Sequence, residues 1–155
     1  MGQPYSLSIQ IPPTNFVAAF PLCEIICTAT DHVAITELYA DVYVNAACTI
    51  VLGFGRPAAA GTSPLLPQII VPDNGGNSAG VFLSAVTQWT KPPTAPTVYN
   101  RRATLNGPAT GHGEARWYFD PGFVIVPSGT AVVWCIAAGT SQGNITGDVT
   151  FSVDL

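Results

Sequence analysis

Apolar and polar residues alternate along much of the chain, and the alternation predicts strands. Tyr5, Leu7, Ile9 and Ile11 are interleaved with Ser6, Ser8 and Gln10. Leu38, Ala40, Val42 and Val44 fall on one face of a segment whose other face carries Glu37, Asp41, Asn45 and two tyrosines. Val149, Phe151, Val153 and Leu155 oppose Thr150, Ser152 and Asp154. Successive side chains of a strand point to opposite faces, so each segment reads as a strand with one buried side. Pro12 and Pro13 are expected to stop the first of them, because proline donates no ladder hydrogen bond.

A second group of segments is apolar on both faces: residues 16–27, 48–54, 81–89, 123–126 and 130–137. Such runs suit central strands, or strands whose outer face meets a neighbouring subunit. A helix is the alternative for 81–89. Gly and Pro punctuate the runs at Gly53, Gly55 and Pro57, at 72–76, and at Pro92, Pro93 and Pro96. Pro121 and Gly122 are expected to separate two β runs, and Pro127-Ser128-Gly129 to form a hairpin turn. The stretch from Arg56 to Pro67 predicts a long ordered loop, either packed over one end of the fold or reaching out to another protein. Strands closely spaced by turns, with no βαβ rhythm, predict a single all-β domain over residues 1–155. The expected architecture is an antiparallel, jelly-roll-like β-sandwich of roughly eight to ten strands.

Composition sharpens this picture. Hydrophobic residues make up 48% and charged residues only 9%, against about one quarter charged in an ordinary domain. A surface so poor in Lys and Glu points towards coverage by copies of the chain or by a larger assembly. The formal net charge of −4 offers no cationic field for a phosphate backbone, so no nucleic-acid partner is expected. Arg101 and Arg102 are the one adjacent basic pair. No apolar stretch is long enough to span a bilayer as a helix and the start carries no secretory pattern, so no membrane partner is expected.

Motifs for chemistry are sparse. Cys23 and Cys27 form C-x3-C without a second close pair, and all four cysteines, Cys48 and Cys135 included, sit in apolar surroundings where a thiol acts as a small hydrophobe. His112 and Glu114 share a strand spacing near Asp120, but the flanking Gly111 and Gly113 fit a loop entering a strand. Ser84 lacks the glycines of a nucleophile elbow. The run GFGRPAAAG lacks the features of a phosphate-binding loop. No catalytic residue, metal or cofactor is expected. Among the aromatics, Trp134 reads as core, whereas Trp89, Trp117 and Tyr118 are candidates to stack on a sugar ring, which makes a carbohydrate-binding module the alternative function.

Two blocks, VLGFGRPAAAGT (51–62) and ARWYFDPGFVIVPSGTAVVWCIAA (115–138), with Arg101-Arg102 between them, resemble small structural proteins of tailed-phage virions. The shared features are an aromatic strand with Trp117 and Phe119, then Gly122, then Val126-Pro127-Ser128-Gly129, then a strand bearing Trp134. The resemblance implies a non-enzymatic virion protein, a capsid decoration or minor head or tail component, made in the host cytoplasm. It would assemble with copies of itself, as a trimer, and with other virion proteins. Arg56, Pro57, Leu65, Leu66, Arg101 and Arg102 are the candidate assembly contacts. Apolar burial would hold such subunits together at roughly 25 cal/mol per Å² before ordering costs.

Overall fold

The alternating segments fold into one sheet and most of the two-faced segments into another, with 123–125 of the run 123–126 joining the alternating strands. The computed structural model describes residues 5–16, 19–44, 48–64, 67–69, 83–107, 111–137 and 143–154. Its strands are β1 (Tyr5–Phe16), β2 (Phe20–Cys27), β3 (Val33–Val44), β4 (Cys48–Gly55), β5 (Thr62–Pro64) and β6 (Pro67–Ile69). They continue with β7 (Leu83–Val86), β8 (Trp89–Lys91), β9 (Arg101–Gly107), β10 (Gly111–Ile125), β11 (Thr130–Ala137) and β12 (Gly143–Asp154). Sheet A has the order β1-β12-β3-β10, sheet B the order β6-β7-β2-β11-β4-β9, and β5 pairs with β8 in a small ribbon. Every pairing is antiparallel.

With β5 to β8 set aside as an insertion, each connection from β1 to β4 and from β9 to β12 passes from one sheet to the other. Only β4 and β9 are neighbours in the same sheet. This is the double Greek key of a jelly roll, as the alternation predicts. The insertion, residues 56–100, leaves the frame at that one step.

The core lies between the sheets. Ile9, Ile35, Leu38, Ala40, Val42, Val149, Phe151 and Val153 of sheet A meet Cys23, Ile25, Leu52, Phe54, Leu83, Ala85, Val133 and Cys135 of sheet B, all buried. Burying one such large side chain is worth about 1.5–3 kcal/mol. Phe54 packs its ring edge-on to Phe123, with centroids 4.7 Å apart, and also meets Phe119 at 5.3 Å.

Several expectations are corrected. Pro12 and Pro13 do not stop β1; the strand continues to Phe16 with a register shift between Ile11 and Thr14. β1 is an edge strand, where a bulge absorbs residues that cannot donate to a ladder. Residues 16–27 are divided between β1 and β2 rather than forming one strand. Pro121 and Gly122 bulge out of β10 without ending it: its pairing with β3 jumps from Tyr118↔Glu37 to Phe123↔Ile35. The Asp120-Pro121 bond is cis, and Gly122 has φ 117°, where a side chain would be strained and a Cβ would stand 3.1 Å from that of Ala34. Residues 127–129 do form a tight turn, with Gly129 N–H donating to Val126 O at 2.7 Å. It is no hairpin, however, because it carries the chain from sheet A to sheet B. Residues 83–86 and 89–91 are strands rather than a helix. The anticipated loop at 56–67 contains β5, which pairs with β8, and Ala59 bridges Thr94. The turn region 72–76 lies outside the described residues.

Candidate functional site

Three surfaces follow from this fold, beginning with the outer face of sheet A. Its strands alternate, so polar side chains line up across strands. One row runs Ser8, Thr150, Tyr39, Arg116, and the next Gln10, Asp148, Asp41, Glu114. In the first row Ser8 Oγ and Thr150 Oγ1 are 2.9 Å apart. Arg116 Nε pairs with Glu37 Oε1 at 2.6 Å, and its guanidinium stands 5.4 Å from the Tyr39 ring and 6.0 Å from that of Tyr118. The Tyr39 hydroxyl donates to Glu114 Oε2 at 2.6 Å. That hydrogen bond to a carboxylate holds the phenol protonated and raises its pKa to about 12. Glu37, Tyr39, Arg116, Thr150 and Ser152 surround a shallow depression of about 170 Å³, below the several hundred Å³ of an ordinary small-molecule site.

The second surface is the edge made by β10 and the neighbouring ends of β4 and β9. All four arginines of the chain stand over aromatic rings. Arg56 lies 4.4 Å from the Phe123 centroid, Arg101 4.9 Å from Phe119, and Arg102 5.2 Å from Tyr99, with Arg116 as above. Arg101 Nη2 donates to Tyr118 O at 3.0 Å, and Arg56 Nη2 donates to Val124 O. Arg56, just past β4, and Arg101 of β9 thus grip backbone carbonyls on either side of the β10 bulge. Next to them β10 exposes apolar side chains: Tyr118 is 62% exposed, Val124 39%, and Val126 just beyond the strand 59%.

The third surface, the outer face of sheet B, is roofed by the insertion. Glu24 of β2 stands between Val86 of β7 and Val132 of β11 in cross-strand register. It is only 1% exposed and is the buried charged residue among the described ones. Its carboxylate accepts from Gly61 N–H at 3.2 Å and from Trp89 Nε1 at 2.9 Å. Gly61 fits because a Cβ there would collide with the Trp89 ring and reach within 2.8 Å of Glu24 Oε2. The 93–99 segment completes the roof: Pro93 and Pro96 are buried, and a Cβ on Gly55 would lie 2.8 Å from Val98 O. Sequence reasoning did not single out Glu24, Gly61 or Tyr39. Glu24 did leave a signal, as the lone charge in the apolar run 16–27.

The sequence-derived candidates therefore separate. Arg56, Arg101 and Arg102 are exposed near one edge, and Pro57 is half-buried beside Arg56. Leu65 and Leu66 lie outside the described residues. Trp117 is 7% exposed and belongs to the core, so its ring is not offered to a sugar. Trp89 spends its indole N–H on Glu24, and Tyr118 is open to solvent. Trp134 is buried outside the inter-sheet cluster, and its Nε1 has no acceptor among the described residues. Cys23, Cys27 and Cys135 are buried thiols outside any disulfide, and burial pushes Cys23 up to about 12. His112 lies on β10 opposite Tyr43 of β3. His32 pairs with Asp31 at 2.8 Å, and hydrogen bonds from the His32 backbone and ring lower the Asp31 pKa. Among the described residues no three His, Cys, Asp or Glu side chains converge as a metal site.

No known protein family matches the chain, and no curated protein does. Among solved structures, the chain is similar to a protein of T=1 particles derived from infectious bursal virus. The two are 7% identical, the alignment covers 99% of this chain and 40% of that one, and the TM-score is 0.24. It is also similar to the VP2 subviral particle of infectious bursal disease virus, at 10% identity, 97% and 41% coverage and a TM-score of 0.18. The chain spans about two fifths of the length of these viral proteins. At such TM-scores the likeness carries no argument, and the jelly roll stands on the strand order alone.

Proposed function

We propose that this chain is a non-enzymatic structural component of a virion, a capsid decoration or minor head or tail protein of a tailed phage. In this reading it is made in the host cytoplasm, assembles with copies of itself and joins other virion proteins. One observation carries the reading: the β10 edge exposes Tyr118, Val124 and Val126 beside arginines. Tyrosine and arginine around an apolar patch are the composition of protein-contact hot spots. The apolar outer face of sheet B no longer contributes support, because Val132 and Trp134 are already buried within this one chain. Size-exclusion chromatography with light scattering tests the proposal. Assembly at micromolar concentration is the expected result, and a clean monomer counts against it.

A second reading, glycan binding, is favoured by the depression on sheet A, where the Tyr39 ring, the Arg116–Glu37 pair and the Thr150 and Ser152 residues converge. Glycan-array screening tests it, and silence across the array removes it.

A further inference from the structure

Sheet A is open at both ends, at β1 and at β10. An open strand edge offers unpaired N–H and C=O groups to any strand that arrives, one from a second copy included. β10 is the greater hazard. It is the longest of the described strands, at 15 residues. Tyr118 and Val124 on it, and Val126 just past its end, are exposed. A long edge with exposed apolar side chains is where sheets grow from one molecule into the next.

The prolines of sheet A fall at these two edges. Pro12 and Pro13 lie in β1 and Pro121 in β10, whereas the interior strands β3 and β12 contain none. Proline removes a ladder donor. Both edge strands also lose regular pairing there, between Ile11 and Thr14 and between Tyr118 and Phe123. A bulge turns an edge away from an incoming strand. On β10 two acceptors are taken as well. Arg101 Nη2 donates to Tyr118 O at 3.0 Å, and Arg56 Nη2 donates to Val124 O, one carbonyl on each side of the bulge. Both donors come from outside sheet A, Arg101 from β9 and Arg56 from just past β4. Stacking on Phe119 and Phe123 holds the two guanidinium groups in place.

We propose that Arg56 and Arg101 guard the β10 edge. Their N–H groups occupy Tyr118 O and Val124 O, two of the acceptors that a strand from a second copy would need, and so keep sheet A from extending across molecules. Neighbours are left to meet this rim through side chains alone. The inference goes beyond the structural role proposed above and stands whether or not the unaltered chain associates.

Sedimentation velocity and thioflavin T fluorescence on the whole chain test it. The unaltered protein is expected to give a species of fixed size, monomer or closed oligomer, without a thioflavin signal. Arg56→Met with Arg101→Met, first shown by circular dichroism to keep its strands, is expected to sediment faster with every rise in concentration, without a plateau, and to bind thioflavin T. Adding Val124→Lys, a charge on the same edge, is expected to return that protein to a fixed size. A folded double variant that sediments like the parent overturns the inference, as does growth that survives Val124→Lys. Open-ended growth of the unaltered chain overturns it too. If the double variant fails to fold, the same readings on Arg101→Met alone decide. An unaltered chain that is a clean monomer counts against the structural role and not against the guard.

Discussion

The outer faces of the two sheets meet their surroundings in opposite ways. Outside sheet A, serine, threonine, tyrosine and charged side chains occupy every second position, and nothing among the described residues covers them as a layer. Outside sheet B, Glu24, Val132 and Trp134 are buried, and Gly61 and Trp89 of the insertion stand against the Glu24 carboxylate. The difference teaches where a two-faced apolar strand comes from. Such strands invite a neighbouring subunit as the explanation, yet here the second apolar face is met by residues of the same chain. A subunit contact is better sought on the β10 edge.

The core common to both sheets sets the scale for breaking this comparison. Phe54→Ala removes a fully buried ring wedged between the sheets and is expected to cost about 3–5 kcal/mol in chemical denaturation. A loss near zero would mean that the sheets are not stacked through Phe54.

Next comes the roof. Glu24→Ala strips the acceptor from Gly61 N–H and Trp89 Nε1 and is expected to cost roughly 1.5–3 kcal/mol. The Trp89 fluorescence should shift to the red and proteolysis should enter residues 56–100 before the strands of the sandwich. Glu24→Gln keeps an acceptor and should lose less. Unchanged cleavage of the Ala variant would show that the carboxylate does not hold the insertion.

A matched pair of nearly isosteric exchanges sharpens the contrast further. Val132→Thr places a hydroxyl under the roof and should destabilise by about 1–3 kcal/mol. Thr150→Val, on the open face, should stay within about 0.5 kcal/mol. Equal effects would erase the distinction between the two outer faces.

The smallest effect concerns pH. The Tyr39 phenol is raised in the folded chain, to about 12 from 10.0. Its contribution to stability is therefore complete below the unfolded value and is lost as pH rises through the folded one. Burial also raises Tyr99, so ultraviolet titration of tyrosinate should show more than one late-ionising group, and Glu114→Gln should bring the Tyr39 phase, near 12, back towards the ordinary value. A Tyr39 phase that survives Glu114→Gln would place its cause elsewhere.

Period-two alternation made sheet A legible: β1, β3 and β12 are the three alternating segments. Continuous apolar runs marked β4 and β11 of sheet B as well, and β2 without its true start, whereas the run at 81–89 left a helix open where β7 lies. What covers those runs was not legible, because it depends on Glu24 meeting residues 61 and 89, far away in sequence. The continuity of β10 through Pro121 was hidden for a related reason. Proline and glycine normally stop strands, and only at an edge can a bulge gripped by Arg56 and Arg101 keep the strand going. Trp117 and Tyr118 illustrate the limit of reading a stacking site from aromatic residues. Adjacent rings on a strand face opposite ways, and here one went to the core and the other to solvent.

Amide hydrogen exchange, compared between dilute and concentrated protein, tests most directly whether the β10 edge, rather than the roofed sheet, meets the neighbour. Protection should rise with concentration along residues 111–126, while residues 56–100 exchange alike in both samples. Concentration-dependent protection confined to residues 56–100, with β10 unchanged, would contradict it.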